Sequence, residues 1–133
     1  DRMARFMKIP WTLPSKFPIA SIVAARAYYW IYDTDRIVAK EFARQCFATY
    51  FGEGRSIADV DTIGEIGSRV GIDSAELKKA IVEERIKERL KTETQEAIDA
   101  GVFGSPFFIV DDAKFWGSDR IWMIKRWLKT GGW

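Results

Sequence analysis

Only one stretch of the 133-residue chain reads as β structure, and it comes late. Residues 106–110, PFFIV, are short, apolar and rich in aromatic and β-branched side chains, the signature of a buried strand. DDAK at 111–114 reads as a turn and KFW at 114–116 as a second short strand, which together predict a hairpin. A two-stranded hairpin is marginal alone, and PFFIV is too apolar for a strand with one wet face. It calls for neighbouring strands. Residue 1 is Asp, and the opening residues read as the middle of a helix. The expectation is that an N-terminal part of the fold, carrying those strands, precedes Asp1.

Almost everything before the hairpin reads as helix. Residues 1–7 form a short helical end, and Pro10, Pro14 and Pro18 then make residues 9–18 an extended connection. Small and apolar side chains at helical spacing run from Ala20 to Ile31. Asp33 or Thr34 is a candidate cap for the next helix, residues 35–51, with Val38, Phe42, Cys46 and Tyr50 four apart; Gly52 and Gly54 end it. Asp59 or Asp61 begins a third helix with Ile63, Ile66 and Val70 on one face, stopped by Gly71. Residues 73–76, DSAE, make a capping-box-like start. A long helical stretch follows, residues 75–100, broken near Glu83 and Glu84, and Gly101 and Gly104 close it. After the hairpin, Gly117 stops the strand, and Ser118 caps a last helix in which Ile121, Ile124 and Leu128 face one way.

Composition narrows the function classes. A 47% hydrophobic, 30% charged chain of this length suits one soluble globular domain. The net charge of +2 is too slight to point to nucleic acid, and basic residues alternate with acidic ones, as in EERIKERLKTETQE, on what reads as a solvated face. One cysteine and no histidine exclude an internal disulfide, a Cys/His metal site, and Ser-His-Asp or Cys-His machinery from this chain. No apolar run reaches the roughly 18 residues of a membrane span, and DRMARFMKIP lacks a signal peptide's apolar core. The expected location is the cytoplasm. Cys46, in an apolar helical stripe, reads as a buried inert thiol. The aromatics of AYYWIY at 27–32 read as core, and Glu83 and Glu84 as solvated.

Two short motifs border the hairpin. The first is Gly104-Ser105-Pro106. A proline at the first strand position has no N–H to miss from the ladder. A cis bond there would expose the N–H and C=O of Ser105 to a peptide-like ligand pairing as an added strand. The second is Trp116-Gly117-Ser118-Asp119-Arg120, at a strand-to-helix junction. Free N–H groups at a helix start favour an anion. Ser118 can cap the helix or donate to a carboxylate, and Asp119 can complement the helix dipole or accept from an ammonium. Each motif alone is better read as ordinary strand and cap chemistry. Together they suit a ligand carrying a carboxylate, an amine and a peptide group.

Read jointly, GVFGSPFFIVDDAKFWGSDR at 101–120 resembles the C-terminal signature of the 2-hydroxychromene-2-carboxylate isomerases, which group with kappa-class glutathione transferases in the DsbA-like branch of thioredoxin folds. IPWTLPSKFPIASIVAARA resembles the segment leading into that family's inserted helical domain, and KTETQEAIDAGVFGSP its return to the thioredoxin core. The resemblance implies an α/β thioredoxin-like fold with a large helical insertion. It divides the chain at 1–15 (end of the N-terminal thioredoxin part), 16–98 (inserted helical domain) and 99–133 (C-terminal thioredoxin part). It also implies glutathione as cofactor. The backbone of Ser105 would pair with the cysteinyl part, and Trp116, Gly117, Ser118 and Asp119 would hold the γ-glutamyl end. The serine or cysteine facing the thiol is expected upstream of Asp1. The implied reaction interconverts 2-hydroxychromene-2-carboxylate and trans-o-hydroxybenzylidenepyruvate, with a small aromatic substrate, a homodimer, no metal and no membrane. Two positions depart from the pattern: Ser105 stands where Val or Leu is usual, and Ala20 where the family tends to have Asn near the aromatic substrate. A kappa-like glutathione transferase, a DsbA-like disulfide oxidoreductase and a helical interaction module are the competing readings.

Overall fold

The computed structural model describes residues 2–133. The chain divides into two compact units, one running to Thr92 and the other from Glu93 to Trp133. The first holds α1 (Arg2–Met7), α2 (Ile22–Tyr32), α3 (Arg36–Phe47), α4 (Val60–Arg69), α5 (Ser74–Ala80) and most of α6 (Glu84–Asp99). The second holds β1 (Phe107–Val110), β2 (Ala113–Trp116) and α7 (Ile121–Thr130). The expected break in the long helical stretch is present, between α5 and α6.

Three aspartates start three helices, because a carboxylate at the N-cap accepts N–H groups that have no partner within the helix. Asp35 accepts from Ile37 at 2.8 Å and Val38 at 3.0 Å. Asp59 accepts from Thr62 N–H at 2.8 Å, and Asp73 from Glu76 N–H at 2.8 Å. The cap of α3 is thus Asp35, not Asp33 or Thr34. Those two residues still belong to the closing turn of α2, donating their N–H groups to Tyr29 and Ile31. The Asp33 carboxylate instead meets Arg89 at 3.3 Å.

The core of the first unit joins α2 to α5. Ile31, Phe42, Ile63, Ile66 and Leu77 are fully buried, with Cys46 and Tyr50 beside them. Val38 and Val70 pack against this core only partly buried, and Ala39 takes the inner position that Val38 was expected to fill. The spacing follows from 3.6 residues per turn, which brings Ala39, Phe42 and Cys46 onto one face. Trp30, Tyr28 and Tyr32 flank the core, as the AYYWIY run suggested. α4 carries two buried glycines. A Cβ at Gly67 would overlap the Leu77 side chain, and one at Gly64 would overlap Ser74 Oγ and Lys78. Their bare backbone therefore lets α5 lie close against α4.

At its C-terminal end α3 widens into a π turn, Ala48–Gly52, where Glu53 N–H donates to the Ala48 carbonyl at 3.0 Å. The sequence pattern gave unbroken α-helix to Phe51. The widened turn leaves the Phe51 carbonyl free to accept from Thr12 N–H at 2.6 Å. Tyr50 Oη donates to the Lys16 carbonyl at 2.8 Å. These two bonds fasten the proline-rich connection to the helical core.

In the second unit β1 and β2 pair antiparallel, Phe107 opposite Trp116 and Phe108 opposite Phe115. The turn is shorter than DDAK: only Asp111 and Asp112 lie outside the strands, both at positive φ (49° and 63°), as a two-residue hairpin turn requires. β1 is not a buried strand. Phe107, Phe108 and Val110 are half-buried and Ile109 is exposed, since the sheet has two strands among the described residues. On α7, Ile124 is buried but Ile121 and Leu128 are exposed, because a hairpin this narrow covers one contact line of the helix. Trp127 completes that line, edge-on to Phe115 and donating Nε1–H to Asp111 at 3.0 Å.

Candidate functional site

The hairpin register decides where the two sequence motifs stand. With Phe107 opposite Trp116, the next pair outward is Pro106 with Gly117, and Gly117 N–H donates to the Pro106 carbonyl at 2.9 Å. Ser105 therefore lies two residues before the start of β1, at the end of the hairpin beside which Trp116, Gly117, Ser118 and Asp119 run. All five predicted site residues come together at one end of the hairpin.

Side-chain alternation sorts the rest. Phe115 points to the face that packs on Trp127 and is buried. Trp116 points to the opposite face and stays exposed. There Phe103 packs edge-on against both Phe107 and Trp116, each at 5.2 Å. The Trp116 indole covers Gly104 so closely that a Cβ at that position would overlap it. Gly104 thus serves by having no side chain. Phe103 and this use of Gly104 were not singled out in the sequence. The only signal for them was their place in the run GVFGSP, since contact with Trp116 depends on the register.

The Ser105–Pro106 bond is cis. Ser105 is exposed, and its N–H and C=O have no backbone partner among the described residues. Gly117 has φ of 103°, a conformation that glycine tolerates best, and a Cβ there would overlap the Asp119 carboxylate. Beyond it lies a short 3₁₀ turn, Ser118–Arg120, before α7. The expectation that Ser118 caps the last helix is corrected: its hydroxyl caps nothing, because the 3₁₀ turn comes between it and α7. The hydroxyl is left for another partner. Asp119 is exposed and pairs with its neighbour Arg120 at 3.2 Å.

Among the described residues this end of the hairpin offers an unpartnered peptide N–H and C=O at Ser105, the Ser118 hydroxyl beside the unpartnered N–H groups of Ser118 and Asp119, and a carboxylate. Such a set fits a ligand with a peptide unit, a carboxylate and an ammonium. Cys46 offers no competing chemistry. Burial pushes its thiol up to about 12, so it is protonated at neutral pH.

Residues 1–129 match the DSBA-like thioredoxin domain family. The chain belongs to that family. Among curated proteins it is similar to the 2-hydroxychromene-2-carboxylate isomerase of Sphingobium xenophagum, 26% identical over 128 residues, covering 96% of this chain and 64% of that protein. It is also similar to the 2-hydroxychromene-2-carboxylate isomerase of Pseudomonas putida, 24% identical over 126 residues, covering 94% of this chain and 60% of that one. The chain therefore spans less than two thirds of the length of these relatives. A solved structure of a selenomethionine 2-hydroxychromene-2-carboxylate isomerase superposes with a TM-score of 0.85 at 23% identity, over 96% of this chain and 61% of the other. That likeness shows the DsbA-like thioredoxin fold expected from residues 101–120. Among the described residues no helix is long and apolar enough to cross a membrane.

Proposed function

We propose that this chain supplies the glutathione-holding end of a glutathione-dependent cis–trans isomerase acting on 2-hydroxychromene-2-carboxylate. The observation that carries the reading is the Gly117–Pro106 hydrogen bond, which sets the Ser105 backbone beside Ser118 and Asp119. In this reading Ser105 N–H and C=O pair with the cysteinyl peptide unit. Ser118 Oγ–H and the N–H groups of Ser118 and Asp119 hold the γ-glutamyl carboxylate, and Asp119 accepts from its ammonium. Trp116 walls the site on the sheet's exposed face.

Bound there, glutathione would supply a thiolate nucleophile for reversible addition to a conjugated enone, the chemistry that would allow cis–trans interconversion. The contribution of these residues is positioning: they fix the tripeptide backbone so that its thiol presents in one direction. The kappa-like transferase shares this cofactor chemistry and differs in transferring the thiol. Disulfide exchange draws no support from this chain, because Cys46 is buried and protonated. On the same reading the protein works in the cytoplasm as a homodimer.

Calorimetric titration of the whole protein with glutathione tests the cofactor. Asp119→Ala should weaken binding about tenfold or more, the scale of a hydrogen bond to a charged group. Unchanged affinity in that variant would remove the γ-glutamyl assignment. Turnover of 2-hydroxychromene-2-carboxylate in the presence of glutathione separates isomerase from transferase.

A further inference from the structure

The stretch from Phe103 to Ser105 has nothing in its own backbone to hold it. Val102 N–H donates to the Ala97 carbonyl at 2.9 Å, closing α6, and the Pro106 carbonyl accepts from Gly117. Between them, no N–H or C=O of residues 103–105 has a backbone partner among the described residues. Exposed backbone without such bonds is ordinarily loose. The glutathione reading needs the opposite. Ser105 N–H and C=O must face the ligand in one direction, and hydrogen bonds weaken steeply with misalignment.

Side chains take over the task. Phe103 meets Phe107 and Trp116 at interplanar angles of 82° and 64°, the edge-to-face orientation that aromatic pairs favour. The Gly104 backbone lies against the Trp116 indole. A Cβ there would sit 3.0 Å from Cδ1 and Cε2, and nearer still to Nε1. Trp116 is fixed in turn by its register opposite Phe107. Two successive residues thus rest on one indole, directly before Ser105. Gly104 is not at positive φ, so alanine can adopt its backbone conformation, and only the indole stands in the way of a Cβ.

We propose that Phe103 and Gly104 are positioning residues for glutathione: their clamp on Trp116 fixes the direction of the Ser105 N–H and C=O, and neither acts by touching the ligand. The inference rests on the glutathione reading and adds to it two residues outside the predicted set. A stretch ordered before the ligand arrives does not have to be ordered by it, so the entropy of residues 103–105 no longer opposes binding. The two residues work as a pair. The ring at 103 braces the indole edge-on, and the missing side chain at 104 lets the indole lie over the loop.

The test compares the whole protein with Gly104→Ala, Phe103→Leu and Phe103→Tyr. In the ligand-free state, the NMR order parameter of the Ser105 amide should be about 0.85 in the parent and below about 0.6 in Gly104→Ala and Phe103→Leu. Calorimetry should show those two variants binding glutathione about tenfold more weakly, the scale of one lost hydrogen bond. Phe103→Tyr, which keeps the ring, should restore both values. Phe103 and Trp116 are exposed, so the rings can swing outward without unpacking a core, and the urea midpoints should stay near the parent's. A Ser105 amide that is mobile in the parent, or equally ordered in Gly104→Ala, overturns the proposal. So does an affinity loss matched by a fall in the urea midpoint, which would make the two residues structural. A parent that binds no glutathione removes the reading and this inference together, whereas parent and variants that bind equally well remove this inference alone.

Discussion

Aspartate does most of the local work at helix starts in this chain, and the reason is visible atom by atom. Asp59 Oδ2 accepts both Thr62 N–H and Thr62 Oγ1–H, at 2.8 and 2.9 Å. These bonds are stronger to the ionised carboxylate than to the neutral acid, and the backbone bond from Thr62 is the foremost cause that lowers its pKa below the ordinary 3.8. A carboxyl whose folded pKa is depressed stabilises fully above its unfolded value. That stabilisation is lost as pH falls through the lower folded value. The urea midpoint of the parent should therefore exceed that of Asp59→Ala at neutral pH, and the gap should narrow only below pH 3.8. A gap independent of pH down to acid unfolding would show that the charge contributes nothing. Asp35, with two N–H donors, should cost about 1 kcal/mol on replacement by Ala, measured by the same denaturation.

Elements were legible in the sequence where one residue dictates backbone geometry or one face repeats. Gly71, Gly101 and Gly117 stand at positive φ where the chain had to stop a helix or strand. Ile63, Ile66 and Phe42 are buried because a 3.6-residue period allows them no other place. The hairpin was legible too, and with it the joint position of Ser105 and Asp119. What escaped notice depends on neighbours distant in sequence. The π turn at Ala48–Gly52 goes with the bonds of Phe51 and Tyr50 to the connection, and nothing local marks it. The 3₁₀ turn that frees Ser118 is likewise invisible to a cap rule that knows only helix and non-helix. Gly64 and Gly67 read as poor helix formers, yet they allow α5 to approach. Two opposing effects meet at Gly67. Alanine would gain about 1 kcal/mol of helix propensity, but its Cβ would press on Leu77, which is fully buried and cannot yield. Overpacking of that kind costs roughly 1–3 kcal/mol. Gly67→Ala should therefore destabilise by about 1 kcal/mol net in urea titration. Gly64→Ala meets Ser74 Oγ and the flexible Lys78 chain, and should be near neutral. Equal losses at both positions would contradict this account of the α4–α5 contact.

At the scale of the molecule, the two units carry different probes. The sole cysteine lies in the helical unit, inside the core shared by α2 to α5, whereas four of the six tryptophans (Trp116, Trp122, Trp127 and Trp133) lie beyond Glu93. Cys46 therefore reports on opening of the helical core. Burial raises its thiol to about 12, from an ordinary value of 9.0. Because the neutral thiol is the favoured form, its ionisation costs no stability below pH 9. The cost grows as pH rises from there toward the folded value. At pH 8 the native thiolate fraction is about 10⁻⁴, against about a tenth or more for a solvated thiol. A disulfide reagent such as dithiobis(nitrobenzoate) also cannot approach a side chain that is 6% exposed. Native protein at pH 8 should thus label at least about 100-fold more slowly than protein in denaturing urea. Labelling should require the cooperative loss of packing around Phe42, Ile63 and Leu77 rather than fraying of a helix end. Phe42→Ala, which removes a fully buried ring from that core, should accelerate labelling at low urea, since it raises the population of the open form. Rapid labelling of the unmodified native chain would mean that the α2–α5 core is not the continuous unit its burial describes.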